Sequence, residues 1–271
     1  MRVRSELWLS ALIVVLAVPV HLAGLLVPGI YRDPAVLLPQ DLGTDLVTLC
    51  VGLSLLVGGA IATQRGSQRG RLVWLGALGY LVYAYGMYAL GVRWNPLFLA
   101  YVALFGLSFF ALASGLMRTD AARIRDAAHG RVPTRSVAAY LIAITTMVAA
   151  LWLGEEAGAL LRGTVPPSVV QFQAPTNIVH VFDLGIVLPA FVLAAVMLLR
   201  DRPWGYVLAG VLLVKASTIG LWVAVMIWLS AQRGFGSPPA YTAFFLTLTL
   251  GGVVVSWRFL GRIDAEPTTR R

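Results

Sequence analysis

The chain has 271 residues, 59% of them hydrophobic and 12% charged, with a formal net charge of +9. That balance excludes an ordinary water-facing globular surface. The single cysteine, Cys50, excludes an internal disulfide and paired-cysteine redox chemistry.

Eight apolar blocks follow one another, at 7–28, 44–63, 72–91, 97–117, 136–154, 178–199, 206–229 and 242–260. Each has about the length that crosses roughly 30 Å of hydrocarbon as a helix. Backbone groups in lipid must be satisfied within the segment, and the alternation of a membrane barrel is absent. The sequence therefore predicts an all-α, polytopic membrane protein with eight transmembrane helices in a single domain over 1–271. The first block opens with a basic "MRVR", as a signal peptide does, but it is too long and has no small-x-small cleavage site. It reads as a retained span. Cys50, in the second block, reads as a small packed residue.

Arginine placement sets the expected orientation. With the N-terminus inside, the inner segments hold 16 arginines and the outer loops only Arg32, Arg93, Arg162 and Arg233. This is a positive-inside pattern with both termini cytoplasmic. The net charge then follows from topology and calls for no nucleic-acid partner. The expected partners are the bilayer and, at the inner arginine-rich loops, anionic headgroups. The basic segment 118–135 is expected to be a solvated loop, in preference to an interfacial helix capped by Thr119 or Asp120. His129 within it is expected to be solvated.

The halves 1–128 and 129–271 resemble each other. "DLGTDLVTLCVGL" opens span two and "FDLGIVLPAFVLA" span six. Each leads through a short arginine-bearing turn into "LGALGYLVYAYG" or "LAGVLLVKASTIG". Four spans per half make this a possible 4+4 parallel repeat. Small residues four apart, Ser54 with Gly58 and Ala190 with Ala194, place spans two and six at the centre of the expected bundle.

Charge inside a span marks the candidate site, because an ionisable group in hydrocarbon costs at least about 2.5–3.5 kcal/mol. Lys215, the chain's only lysine, falls in mid-span seven. Its expected partner is Asp183 of span six, within reach of a lysine stem. Asn177, His180 and Asp183 recur at intervals of three, and Asp41, Asp45 and Thr48 form a second stripe in span two. Glu155 and Glu156 end the predicted span five, and His21 lies near the outer end of span one. Tyr80, Tyr83 and Tyr88 read as packing and interface-belt residues. Together these groups predict an outward-opening polar vestibule floored by Asp183 and Lys215. The same groups also fit plain structural roles: a buried pair that fixes helix register, and acids at an interface.

No metal-ligand, redox-cysteine, phosphate-loop or dinucleotide pattern occurs, so no cofactor and no metal is expected. Ser108 with His180 lacks the surroundings of a membrane serine protease. Lys215 in a seventh span lacks the seven-span frame of a rhodopsin. The stretches "RGSQRGRLVWLGALGYLVYAYGMYALGVRWNPLFLAYVALFGLSFFAL" and "RPWGYVLAGVLLVK" are similar to uncharacterised bacterial multi-pass membrane proteins. The resemblance covers most of the chain and implies the architecture and a bacterial inner membrane, but no activity.

Three functions remain open on the sequence. The first is a small-molecule or ion transporter or binding protein, taking a small-molecule or proton substrate at Asp183, Lys215, His180, Asn177, Asp45 and Asp41. The second is an accessory subunit of a membrane complex, docking through the loops 29–43 and 155–177. The third is a membrane-embedded enzyme acting on a lipid, disfavoured because no nucleophile or metal set has a recognisable spacing.

Overall fold

A computed structural model describes residues 4–236 and 239–263. Arg2, Arg270 and Arg271, counted above toward the inner charge, lie outside the described residues. The helices are α1 (Arg4–Leu26), α2 (Leu38–Gln64), α3 (Gln68–Gly91), α4 (Phe98–Met117), α5 (Ala121–Ala128), α6 (Thr134–Arg162), α7 (Pro167–Phe172), α8 (Ile178–Leu199), α9 (Pro203–Gln232) and α10 (Pro239–Leu260). All but α5 and α7 are long and apolar enough to cross a membrane, eight in number. The chain is an all-helical, polytopic membrane protein.

Local chemistry places the boundaries. Before α3, Gly66 takes φ +86°, and the Ser67 hydroxyl then caps the helix by accepting from the Gly70 amide at 2.9 Å. Before α9 the same turn is made by Asp201 at φ +53°, and Pro203 starts the helix.

The bundle is centred on α3 and α9, which pack against each other and against most other spans. Spans two and six flank this centre, contrary to the expectation from their small residues. Ser54 and Gly58 face outward, and the close approach is made instead by Gly59 against the backbone of Trp74. The physical reason is polarity. The α3 helix is the least hydropathic of the eight spans, and its Trp74, Tyr80 and Tyr85 are wholly buried. A helix carrying that many hydroxyls satisfies them best in the interior. The tyrosines are therefore core rather than interface belt. Cys50 also departs from expectation, being exposed on the outer surface of α2.

One end of the bundle is rich in arginine and pinned by polar contacts. The Arg71 guanidinium on α3 donates to Glu6 of α1 at 2.6 Å, to Thr119 Oγ1 at 3.0 Å and to the Gly115 carbonyl at 2.9 Å. These bonds tie three elements together. The segment expected to be a solvated loop holds α5, capped by Asp120 Oδ1 accepting from the Arg123 amide at 3.0 Å. It is helical because its small and apolar face, Ala121, Ile124 and Ala128, is buried where α5 meets α9. Arg125 of α5 pairs with Asp201, which also accepts from the Tyr206 hydroxyl at 2.7 Å and lies 3.0 Å from His129 Nδ1. His129 is thus partly engaged rather than simply solvated. Hydrogen bonds from Arg125, then Tyr206, hold the Asp201 carboxyl well below the usual carboxylate range.

Two spans contain a wide π turn, Thr48–Gly52 in α2 and Asp183–Val187 in α8. In each, the amide after the turn reaches back five residues: Leu53 to the Thr48 carbonyl, Leu188 to the Asp183 carbonyl. Pro189 has no amide hydrogen and crowds the preceding turn, which suits a widened turn in α8. Both turns start beside a polar side chain directed at α3.

Candidate functional site

Two polar clusters lie toward the end of the bundle opposite the arginines. The first joins α1, α2 and α3. His21 Nδ1 lies 2.7 Å from Asp45 Oδ1, and His21 Nε2 lies 3.0 Å from the Tyr85 hydroxyl. With Nδ1–H given to the carboxylate, Nε2 accepts from Tyr85. Asp45 also accepts from the hydroxyls of Tyr31 at 2.7 Å and Tyr88 at 2.9 Å. His21 and Asp45 are both fully buried. Gly24 leaves room for the carboxylate, since a Cβ there would stand 2.2 Å from Asp45 Oδ2. One helical turn further along α2, the Thr48 hydroxyl meets the Tyr80 hydroxyl at 2.8 Å. Both ring nitrogens of His21 and both carboxylate oxygens of Asp45 have partners, and Tyr85, Tyr88 and Tyr101 fill the surrounding space.

The second cluster joins α3, α6, α8 and α9. His180 Nδ1 lies 2.6 Å from Glu156 Oε1, and its ring packs against Trp152, tilted by 33° at a centroid distance of 4.5 Å. Trp152 Nε1 donates to Asp183 Oδ2 at 3.0 Å, and the Tyr83 hydroxyl donates to Asp183 Oδ1 at 3.1 Å. The expected direct Asp183–Lys215 ion pair does not form. Instead the Lys215 ammonium sits over the face of the Tyr83 ring, 4.2 Å from its centroid. Tyr83 thus stands between the two charges, its hydroxyl on the acid and its ring under the base. His180 Nε2 is buried without a hydrogen-bond partner.

Beside this cluster is a cavity of about 600 Å³, within the size range of small-molecule sites. It extends from Lys215 and Phe191 at mid-height to Gln40, Phe172 and Tyr241 at the acidic end. Ile144, Val148, Ile219 and Val223 make most of its wall apolar, while Asp183, His180, Asn177 and Lys215 all touch it. Asn177 reaches it as the N-cap of α8, where its Oδ1 accepts from the Val179 and His180 amides.

Four of the six candidate binding residues therefore meet at one cavity, and two do not. Asp45 is enclosed in the His21 cluster. Asp41 borders a smaller cavity of about 90 Å³ with Asp33, Thr44, Tyr88 and Asn177, its Oδ2 unpartnered. Burial raises the Asp33 carboxyl in the adjoining loop above its usual range, against the lowering effect of the Arg93 amide and charge. Glu155 and Glu156 do not end their span, for α6 continues to Arg162. Glu156 meets His180, while Glu155 Oε1 accepts from the Ser168 amide at 2.8 Å and anchors α7.

Two side chains hold Asp183: Tyr83, which the sequence marks only as a packing and interface-belt tyrosine, and Trp152, which it does not mark. Trp152 lies four residues before Glu156, on the same helical face, and that spacing is a readable signal. Tyr83 gives none, because its role depends on how α3 sits against α8 and α9. Ser108 is buried without a partner on its hydroxyl. Among the described residues no group of three His, Cys, Asp or Glu side chains lies close enough to share a metal ion. No protein-family model, curated protein or solved structure matches the chain.

Proposed function

We propose that this is a membrane protein that binds, and exchanges across the bilayer, a small molecule held in the cavity between α3, α6, α8, α9 and α10. Asp183 is its proton carrier or polar ligand, Lys215 its counter-charge, and His180 with Asn177 line the approach. The arginine bias supports cytoplasmic termini, and the resemblance above supports a bacterial plasma membrane. One observation carries the reading: Asp183 and Lys215 both border open space, and they are not locked to each other. A structural pair is expected to close on itself with its remaining donors satisfied. This one leaves an ammonium on an aromatic face beside a cavity.

Thermal unfolding in detergent of Lys215→Met, Asp183→Asn and the double variant tests it. On this reading Lys215→Met melts at or above the parent, because groups held for function are kept at some expense of stability. If each single change costs about 3–5 kcal/mol and the double restores the loss, the pair is a lock and an accessory role replaces this one. A second reading, acid–base chemistry on a lipid, draws on one feature only. The Glu156–His180 pair resembles a base with its orienting acid, with Nε2 left free. Turnover of an added lipid, lost in His180→Gln, would favour it.

A further inference from the structure

We infer that the molecule this cavity takes is a lipophilic monoanion: a carboxylate head at Lys215 with an apolar tail along the α6–α9–α10 wall. The inference rests on the binding reading above and narrows it to a substrate class.

The head group follows from what Lys215 lacks. An ammonium has three donors. Among the described residues none of them meets a hydrogen-bond acceptor, and the only close partner is the Tyr83 ring. The nearby acid does not close on it: Asp183 is oriented by Trp152 on one oxygen and by Tyr83 on the other and makes no ion pair with Lys215. The ammonium donors are thus unmet where they face the cavity, and an anionic oxygen there would meet them. His180 Nε2, the other unpartnered polar atom on the cavity, offers a second contact to a head group with two oxygens.

The single charge follows from the absence of a second fixed cation. No arginine borders the cavity, and Lys215 is its only lysine. A lone ammonium is a point charge suited to one negative charge, whereas a dianionic phosphate is ordinarily held by an arginine fork or several cations. The tail follows from the wall. Phe191, Ile144, Val148, Ile219, Val223 and Leu248 offer hydrocarbon and no hydrogen bonds. A small hydrophilic anion would leave that surface unused, while an alkyl chain covers it.

The test uses the full chain in lipid nanodiscs, titrated with twelve-carbon probes that differ only in the head, with empty nanodiscs subtracted. Dodecanoate is expected to saturate at one per chain. Dodecanol, dodecyltrimethylammonium and, at pH 8, dodecyl phosphate are expected to bind at least tenfold more weakly. Lys215→Met should weaken dodecanoate at least tenfold and leave dodecanol unchanged, while Lys215→Arg keeps most of the affinity. Circular dichroism checks folding, and should Lys215→Met fail to fold, Lys215→Gln and the head-group series on the parent decide. Dodecanol binding as tightly as dodecanoate overturns the anion and leaves the cavity as a binding site. The trimethylammonium probe binding best overturns it in favour of Asp183 as the anchor. If no probe saturates, the lipophilic class is wrong, and the stability cycle on Lys215 and Asp183 separately decides whether the binding reading survives.

Discussion

His21–Asp45 and Glu156–His180 are the same device built twice with the partners exchanged. His21 and Glu156 are 135 residues apart, as are Asp45 and His180, and the two pairs close at 2.7 and 2.6 Å. The same interval links Thr48 to Asp183, the first residues of the two π turns, and Tyr80 to Lys215. It also links the left-handed Gly66 and Asp201. Yet one region is sealed and the other contains the cavity. The difference lies in α3 and α9. Tyr85 and Tyr88 fill the first region, while the positions 135 residues on are Gly220 and Val223, both on the cavity wall. Two rings replaced by a hydrogen and an isopropyl group leave space. Gly220 is further required to be small, since a Cβ there would meet Thr249 Oγ1 at 2.7 Å. One arrangement of polar groups, filled with tyrosine, is thus closed and, with the rings replaced by Gly220 and Val223, borders a cavity.

The sealed region breaks most easily. Asp45→Ala leaves His21, Tyr31 and Tyr88 without their shared acceptor in a fully buried place, and about 3–5 kcal/mol of stability should be lost. Chemical denaturation in detergent reads the loss; a change under 1 kcal/mol would mean the network is not structural. The next effect is Tyr85→Phe, which keeps the ring and strands only His21 Nε2, for about 1–3 kcal/mol by the same measurement.

The open region should respond the other way. Val223→Tyr places in the second half the ring that Tyr88 supplies in the first. Its thermal midpoint should stay within a few degrees of the parent, while saturable dodecanoate binding disappears. Binding that persists unchanged would show that the occupied space lies elsewhere.

The smallest effect concerns the arginine-rich end, away from both clusters. The Asp201 carboxyl is held below its usual range in the folded chain, so its contribution is complete at neutral pH. That contribution declines as pH falls below the ordinary carboxylate value of about 3.9. Asp201→Asn should lower the midpoint slightly at pH 7, and the gap to the parent should narrow as pH drops below about 4.

Much of this protein is legible from the chain alone. The eight spans, from "LIVVLAVPV" in the first to "LGGVVVS" in the last, are each too apolar for water, so their number and helical form follow from length and hydropathy. Lys215 and Asp183 stand out for the same reason, as charges where charge is expensive. The internal likeness is legible too, but its register is not. Matching "DLG" to "DLG" sets Asp41 against Asp183, whereas the π turns set Thr48 there. A local string carries no information about which helical turn has widened.

Other features were decided only by tertiary packing. The position of α3 and α9 at the centre, Tyr83 between the two charges, and the closing of Asp45 away from the cavity all depend on which faces meet. Hydropathy decides that a helix enters the membrane, but it is nearly blind to its rotation there, because lipid and a packed neighbour are equally apolar. Rotation is set by hydroxyl, carboxylate and imidazole groups seeking one another across helices far apart in sequence, as Tyr83 and Asp183 do across 100 residues. That search has an answer only in three dimensions.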